Sequence, residues 1–129
     1  MTENEIGDQI VKLAIRVHRK LGPGLLESVY EAVLAWELRR VGLEVQRQLP
    51  ISIAYENLKF EEGFRADLLV HEKVIIELKC VDRLNYGHQK QVLTYLRLSG
   101  KRVGYLLNFS AGLMRDGIIR IVDGLPEGD

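Results

Sequence analysis

Asp67, Glu77 and Lys79 carry the clearest chemical signal in this 129-residue chain. Phe64 to Val70 and Val74 to Cys80 read as two strands, with only His71-Glu72-Lys73 between them. A three-residue hairpin loop pairs Val70 with Val74, which puts Asp67 directly across from Glu77 and Arg65 across from Lys79. Opposed residues share a face, with Cβ atoms about 4.5–5.5 Å apart. Two carboxylates so placed repel each other unless a cation lies between them. Hard oxygen ligands of this kind suit Mg²⁺ or Mn²⁺, which keep several waters and need only one or two carboxylates. Lys79 is then placed to hold an attacking water or to steady charge building on a phosphate. The competing reading is a salt-bridged strand, with Glu77 on Arg65 and Lys79 on Asp67. A slip of one residue sets Asp67 against Ile76 and parts the acids onto different faces, so the metal reading depends on register.

The strand bearing Glu77 is strongly apolar. Val74, Ile76, Leu78 and Cys80 fill one face, while Ile75, Glu77 and Lys79 lie on the other. Such a strand belongs in the middle of a sheet, where charge is expensive unless paired or metal-bound. Around it the pattern predicts a helix from Ile6 to Leu21, with Ile6, Ile10, Leu13, Ala14, Val17 and Leu21 inward, stopped by Gly22-Pro23-Gly24. A second helix runs from Leu25 to Val41, with Leu26, Val29, Tyr30, Val33, Leu34, Leu38 and Val41 inward, and Gly42 closes it. Val45 to Tyr55 is a strand that Pro50 bends or confines to an edge, and Glu56-Asn57 is a turn. A third helix spans Tyr86 to Leu98, and strands follow at Val103 to Phe109 and Ile118 to Val122. Asp123 to Asp129 reads as a frayed tail. The order α-α-β-β-β-α-β-β predicts an α/β architecture around one mixed sheet, with the whole of 1–129 as one domain.

Composition narrows the function classes. No apolar run reaches the roughly 20 residues of a membrane span, and an acidic start at Glu3, Glu5 and Asp8 does not read as a signal peptide, so a cytoplasmic protein is expected. A single cysteine, Cys80, excludes an internal disulfide and a cysteine-based zinc site. Eighteen Lys and Arg balance eighteen Asp and Glu, so the chain does not coat nucleic acid by net charge alone. The charge is unevenly placed. Acids outnumber bases from Glu56 to Glu77, whereas Lys79 to Arg102 holds Lys79, Arg83, Lys90, Arg97, Lys101 and Arg102 against Asp82. An acidic focus beside a basic stretch suits a metal site next to a polyanion track, and it also suits an ordinary solvated surface.

Ala66-Asp67 followed by Glu77-Leu78-Lys79 resembles the core motif of the PD-(D/E)XK nuclease superfamily. Gly24-Leu25-Leu26-Glu27-Ser28-Val29-Tyr30 resembles the GxxExxY signature that names a family of small bacterial and archaeal proteins in that superfamily. The resemblance runs from about His18 to Phe109, including Gln91 to Leu96 and Leu107-Asn108-Phe109, and departs at Ala66, where the superfamily name has proline. It implies a restriction-endonuclease-like core. It also implies Asp67 and Glu77 as metal-binding carboxylates, the Leu78 carbonyl as a further ligand and Lys79 as the catalytic lysine. Glu27 then reaches the metal directly or through water, and Gln91 orients a phosphate or water from the helix after the ExK strand.

Without the resemblance, Glu27 and Glu31 are acids near a helix start, where the dipole favours them. His88, Gln91 and Tyr95 share one helical face that lines a cleft or simply forms a helix edge. His18 and His71 read as surface residues, and Tyr30 as a core residue whose hydroxyl reaches a polar partner. Arg83, His88, Lys90, Lys101 and Arg102 are the candidate nucleic-acid contacts. The expected function is a Mg²⁺- or Mn²⁺-dependent nuclease acting on DNA, with a homodimer or protein partner supplying what a small chain lacks. The alternative is a non-catalytic nucleic-acid-binding or regulatory module that retains the nuclease fold.

Overall fold

A computed structural model of the chain describes residues 1–124. Helix α1, Glu3–Leu21, opens with a capping box in which Thr2 and Glu5 satisfy each other's backbone amides. Helix α2 is Glu27–Arg40. Strands β1, Val45–Tyr55, β2, Leu58–Val70, and β3, Val74–Lys79, follow in succession. Helix α3, Tyr86–Ser99, crosses over to β4, Val103–Asn108. A 3₁₀ turn at Met114–Gly117 leads into β5, Ile118–Val122. The element order is the expected one, with the 3₁₀ turn added. Of the tail read as frayed, Asp123 donates its amide to the Arg102 carbonyl at 2.8 Å, and residues from 125 onward lie outside the described ones. Among the described residues no helix is long and apolar enough to cross a membrane.

The strands lie in chain order, β1-β2-β3-β4-β5, antiparallel except for the β3–β4 pair that α3 joins. This is a mixed five-stranded sheet with helices on both faces. Strand alternation sets the two cores. Val74, Ile76 and Leu78 pack with Ile6, Ile10, Leu13 and Val17 of α1 and Tyr30, Leu34 and Leu38 of α2. Ile75 and Leu106 face the other way, with Phe64, Ala66 and Leu69, onto Val92 and Leu96 of α3. Gly104 makes that approach possible, because a Cβ there would stand 2.8 Å from the Val92 side chain.

Helix α2 is rotated from its expected setting. Leu26, Val29 and Val41 are exposed, as is Leu21 of α1, while Glu31 and Glu37 turn inward beside Tyr30, Leu34 and Leu38. The rotation is tolerated because each buried acid meets an arginine: Arg47 on Glu31 at 3.1 Å, Arg40 on Glu37 at 3.1 Å. His18 is buried as well, its Nε2 2.7 Å from the Ala111 carbonyl. Strand β2 also begins earlier than expected. Leu58 to Gly63 is exposed and carries no core signal, yet Leu58 to Phe60 pairs with the end of β1.

Candidate active site

The hairpin register is the expected one where the ladder runs, with Val70 against Val74, Leu69 against Ile75 and Leu68 against Ile76. Regular pairing stops there, one position short of Asp67 and Glu77. Side chains take over from the ladder. The Leu78 amide donates to Asp67 Oδ2 at 2.9 Å, and the Asp67 amide donates to Glu77 Oε1 at 3.3 Å. The N–H and C=O of an extended residue point to the same strand edge. The Leu78 carbonyl therefore faces the same gap, while the next carbonyl, that of Lys79, faces β4 and accepts from Phe109 at 2.9 Å. The gap between β2 and β3 is thus rimmed by two carboxylates and one backbone carbonyl.

The opening of the ladder has a neighbouring cause. On the other side of β2, β1 pairs on both sides of Gln48, with Arg47 against Leu68 and Leu49 against Ala66, but Gln48 and Asp67 are not a pair. Gln48 has φ of 49°, a left-handed conformation that costs a non-glycine residue of order 1–3 kcal/mol. The chain turns over there: Val45 belongs to the α1–α2 core, whereas Leu49, Ile51 and Ile53 pack on the α3 side. The Gln48 amide then bridges two acids, donating to Glu31 Oε1 at 2.6 Å and to Asp67 Oδ1 at 3.2 Å. Both Asp67 oxygens are consequently fixed by donors. Sequence reasoning missed Gln48, since nothing in Arg47-Gln48-Leu49 signals a left-handed residue.

Glu77 is only 5% exposed. Burial, and then the Asp67 charge beside it, push its carboxyl up to about 9, with Lys79 pulling the other way. Glu27, the exposed first residue of α2, is raised by partial loss of water and by Asp67, and lowered by Lys79. Lys79 therefore places its charge within reach of both glutamates. Neither pairing of the salt-bridged alternative is present among the described residues. Arg65 binds Glu62 at 2.8 Å instead, out on the surface.

Other elements hold this end of the sheet. Buried Asn108 ties down the chain after Lys79, its Oδ1 accepting from Val81 and Ser110 and its Nδ2 donating to the Val81 carbonyl. The Tyr30 hydroxyl donates to the Gly22 carbonyl and accepts from Leu25, which sets the loop leading into Glu27. On α3, Tyr95 stacks on Phe64 at 4.0 Å and is raised by burial and by the charges of Glu77 and Asp67. Gln91 lies one turn before it, exposed.

The outlying candidates are dispersed. His88 is drawn into the α3 cap, its Nδ1 accepting from the Asn85 amide. Lys90 lies over the Tyr86 ring, and Arg83 is exposed in the loop after β3. Lys101 and Arg102 precede β4, at the opposite end of the sheet from Lys79, ~16 Å away at about 3.3 Å per residue. Arg102 pairs there with Glu3.

Among the described residues, no three His, Cys, Asp or Glu side chains gather into a metal cage. Glu27 thus stands near the two strand carboxylates without closing a cluster with them. The donor set nevertheless fits a hard divalent ion. Two carboxylates and a carbonyl edge one gap, the buried acid is in no salt bridge among the described residues, and such ions complete their shell with water.

Comparison with known proteins places this arrangement. No curated protein matches the chain. Among solved structures, an alkaline exonuclease (LHK-Exo) from Laribacter hongkongensis is similar over 94% of this chain and 82% of its own, at 17% identity and a TM-score of 0.36. The family model described as the PD-(D/E)XK nuclease superfamily matches residues 4–121, which takes in Asp67, Glu77 and Lys79 and all five strands but the last residue of β5. The chain belongs to the PD-(D/E)XK nuclease superfamily.

Proposed function

We propose that this protein, as one domain, is a divalent-metal-dependent nuclease that hydrolyses phosphodiester bonds in DNA, and that Gly24–Tyr30 assigns it to the GxxExxY family within its superfamily. The observation that carries the reading is Glu77, a buried carboxyl set against Asp67 at an opened strand gap, in no salt bridge among the described residues and only partly offset by Lys79. A carboxyl whose ionised form is so disfavoured is not kept there for stability, since an apolar residue would serve the core better.

Asp67, Glu77 and the Leu78 carbonyl are the residues that would hold Mg²⁺ or Mn²⁺, with Glu27 reaching toward it through water. When bound, such an ion neutralises charge on the scissile phosphate and acidifies a coordinated water. The chain's own groups do the rest. Leu78 N–H and Gln48 aim the Asp67 carboxylate. Lys79 donates to the attacking water or to a phosphate oxygen. Tyr95 feels the charges of Glu77 and Asp67 from α3, Gln91 would orient a phosphate or water from the same helix, and Arg83 and Lys90 would offer charge to the flanking phosphates.

The test is cleavage of labelled single-stranded, duplex, flapped and four-way-junction DNA, and of RNA, with Mg²⁺ or Mn²⁺, beside Glu77→Ala and Lys79→Ala. Metal-dependent cleavage by the parent, lost in both variants, is the expected result. Absence of both cleavage and metal binding would leave the non-catalytic module as the reading.

A further inference from the structure

A pocket of about 610 Å³ lies between α1 and the segment after β4, away from the strand gap. Its volume is that of small-molecule sites generally. Ile15, Leu113 and Met114 make its apolar wall, and the buried imidazole of His18 lines it. Arg19 and Arg115 stand exposed at its edge, neither in an ion pair among the described residues, and no carboxylate lines it. Apolar surface flanked by two uncompensated guanidiniums calls for a ligand with a flat apolar body and an anionic group.

The walls are held in place before any ligand arrives. His18 Nε2 is tied to the Ala111 carbonyl, the Gly22 amide donates to the His18 carbonyl at 2.7 Å, and Tyr30 fixes Gly22 and Leu25. Both walls also run into the candidate active site. Gly22-Pro23 lines the pocket and leads within five residues to Glu27. On the other side, the Ser110 amide donates to Asn108 Oδ1, which also holds Val81 just after Lys79, and Gly112 lines the pocket two residues later.

We propose that this pocket receives one unpaired nucleotide of the substrate strand, its base against Ile15, Met114 and the His18 ring and its phosphate between Arg19 and Arg115. Unstacked bases settle on imidazole and guanidinium planes, and arginine grips phosphate. The inference rests on the nuclease reading and deepens it: the substrate presents a single-stranded or extruded nucleotide away from the scissile bond but on the same strand.

The test uses the metal-free full chain, so that it reads binding and not cleavage. Amide resonances are followed while deoxyadenosine monophosphate or deoxyribose phosphate is added. Saturable shifts at Ile15–Arg19 and Gly112–Arg115 with the nucleotide, and much weaker ones without the base, are expected. Binding of a short labelled single strand should fall about tenfold in Arg19→Glu, Arg115→Glu and Leu113→Asp, and also when one base is removed. All three positions are exposed, and unchanged thermal unfolding checks that the variants remain folded. Shifts that avoid these residues, or strand binding indifferent to all three substitutions, would overturn the proposal. An active nuclease with a silent pocket loses only this inference, whereas a nucleotide-binding pocket on a chain that cleaves nothing loses the nuclease reading alone.

Discussion

Helix α2 and strand β3 each bury glutamate, and they surround it differently. Glu31 and Glu37 on α2 are 6% and 8% exposed, and Glu77 on β3 is 5% exposed. Glu31 receives Arg47 and Gln48, and Glu37 receives Arg40 at 3.1 Å and Arg16 at 3.8 Å. Among the described residues Glu77 receives the Asp67 amide and no salt bridge, and the strongest charge acting on it is another carboxylate, which Lys79 offsets only in part. The α2 acids are answered within the chain, so they can serve as struts between helix and sheet. The β3 acid is left unanswered, which makes it the place where a ligand's charge completes the structure. Burial alone therefore does not identify a site; burial without a partner does.

The largest break in this contrast comes from removing the unanswered acid. Glu77→Ala should lower metal-dependent cleavage by roughly 10³-fold, about 4 kcal/mol in the transition state, whereas Glu37→Gln should leave cleavage within a few-fold. Steady-state kinetics on the best substrate of the panel checks both.

The same contrast sets the pH response of the metal-free protein. The folded Glu77 carboxyl lies at about 9 against an ordinary 4.5. Its contribution to stability is therefore fully present below about 4.5 and is lost as pH rises toward 9. The slope reaches at most about 1.4 kcal/mol per pH unit for one proton. Urea unfolding at acid, neutral and mildly alkaline pH should show this loss in the parent and not in Glu77→Gln. Mn²⁺ should restore the parent at alkaline pH and leave Glu77→Gln unmoved.

Breaking an answered acid should act on the fold. Glu31→Ala leaves Arg47 without its partner and removes one of the two acceptors of Gln48. Because Arg47 is partly exposed, a loss of about 1–3 kcal/mol is expected, below the cost of breaking a fully buried pair. Unlike the Glu77 effect, it should persist with saturating metal, as thermal unfolding with and without Mn²⁺ would show.

What the sequence made legible was local. The register of the hairpin around His71-Glu72-Lys73 followed from a three-residue loop, with a slip of one residue as the alternative, and the observed ladder keeps that register up to Leu68 and Ile76, which brings Asp67 beside Glu77. The end of α1 announced itself through Gly22, which caps it with positive φ. What stayed hidden depended on partners far along the chain. His18 is buried because a carbonyl 93 residues away accepts it, and Glu31 because arginine and glutamine wait on β1. Helical periodicity counts apolar residues as inward, so it placed Tyr30, Leu34 and Leu38 where they are but also sent the exposed Leu26 and Val29 inward and gave no sign of the buried Glu31 and Glu37. Lys101 and Arg102 joined the basic stretch in sequence, but the α3 crossover returns the chain to the far end of the sheet before β4 begins.

The smallest expected effect is also the sharpest, because stability and function should move in opposite directions. Gln48 holds a left-handed φ of 49° with a side chain that pays for it by joining Glu31 to Asp67. Glycine adopts this φ without the Cβ penalty, so Gln48→Gly should match or exceed the parent in stability by up to about 1 kcal/mol. The same change frees Asp67 Oδ1, and loss of an orienting hydrogen bond commonly weakens metal binding about tenfold. Gln48→Asn tolerates the backbone and keeps an amide, but is one methylene short of the bridge, so it should resemble glycine in metal affinity. Calorimetric Mn²⁺ titration beside thermal unfolding separates the cases. A Gln48→Gly variant that loses stability and keeps its metal affinity would make Gln48 a residue of the sheet's turn alone, and Asp67 would then owe its aim to the Leu78 amide.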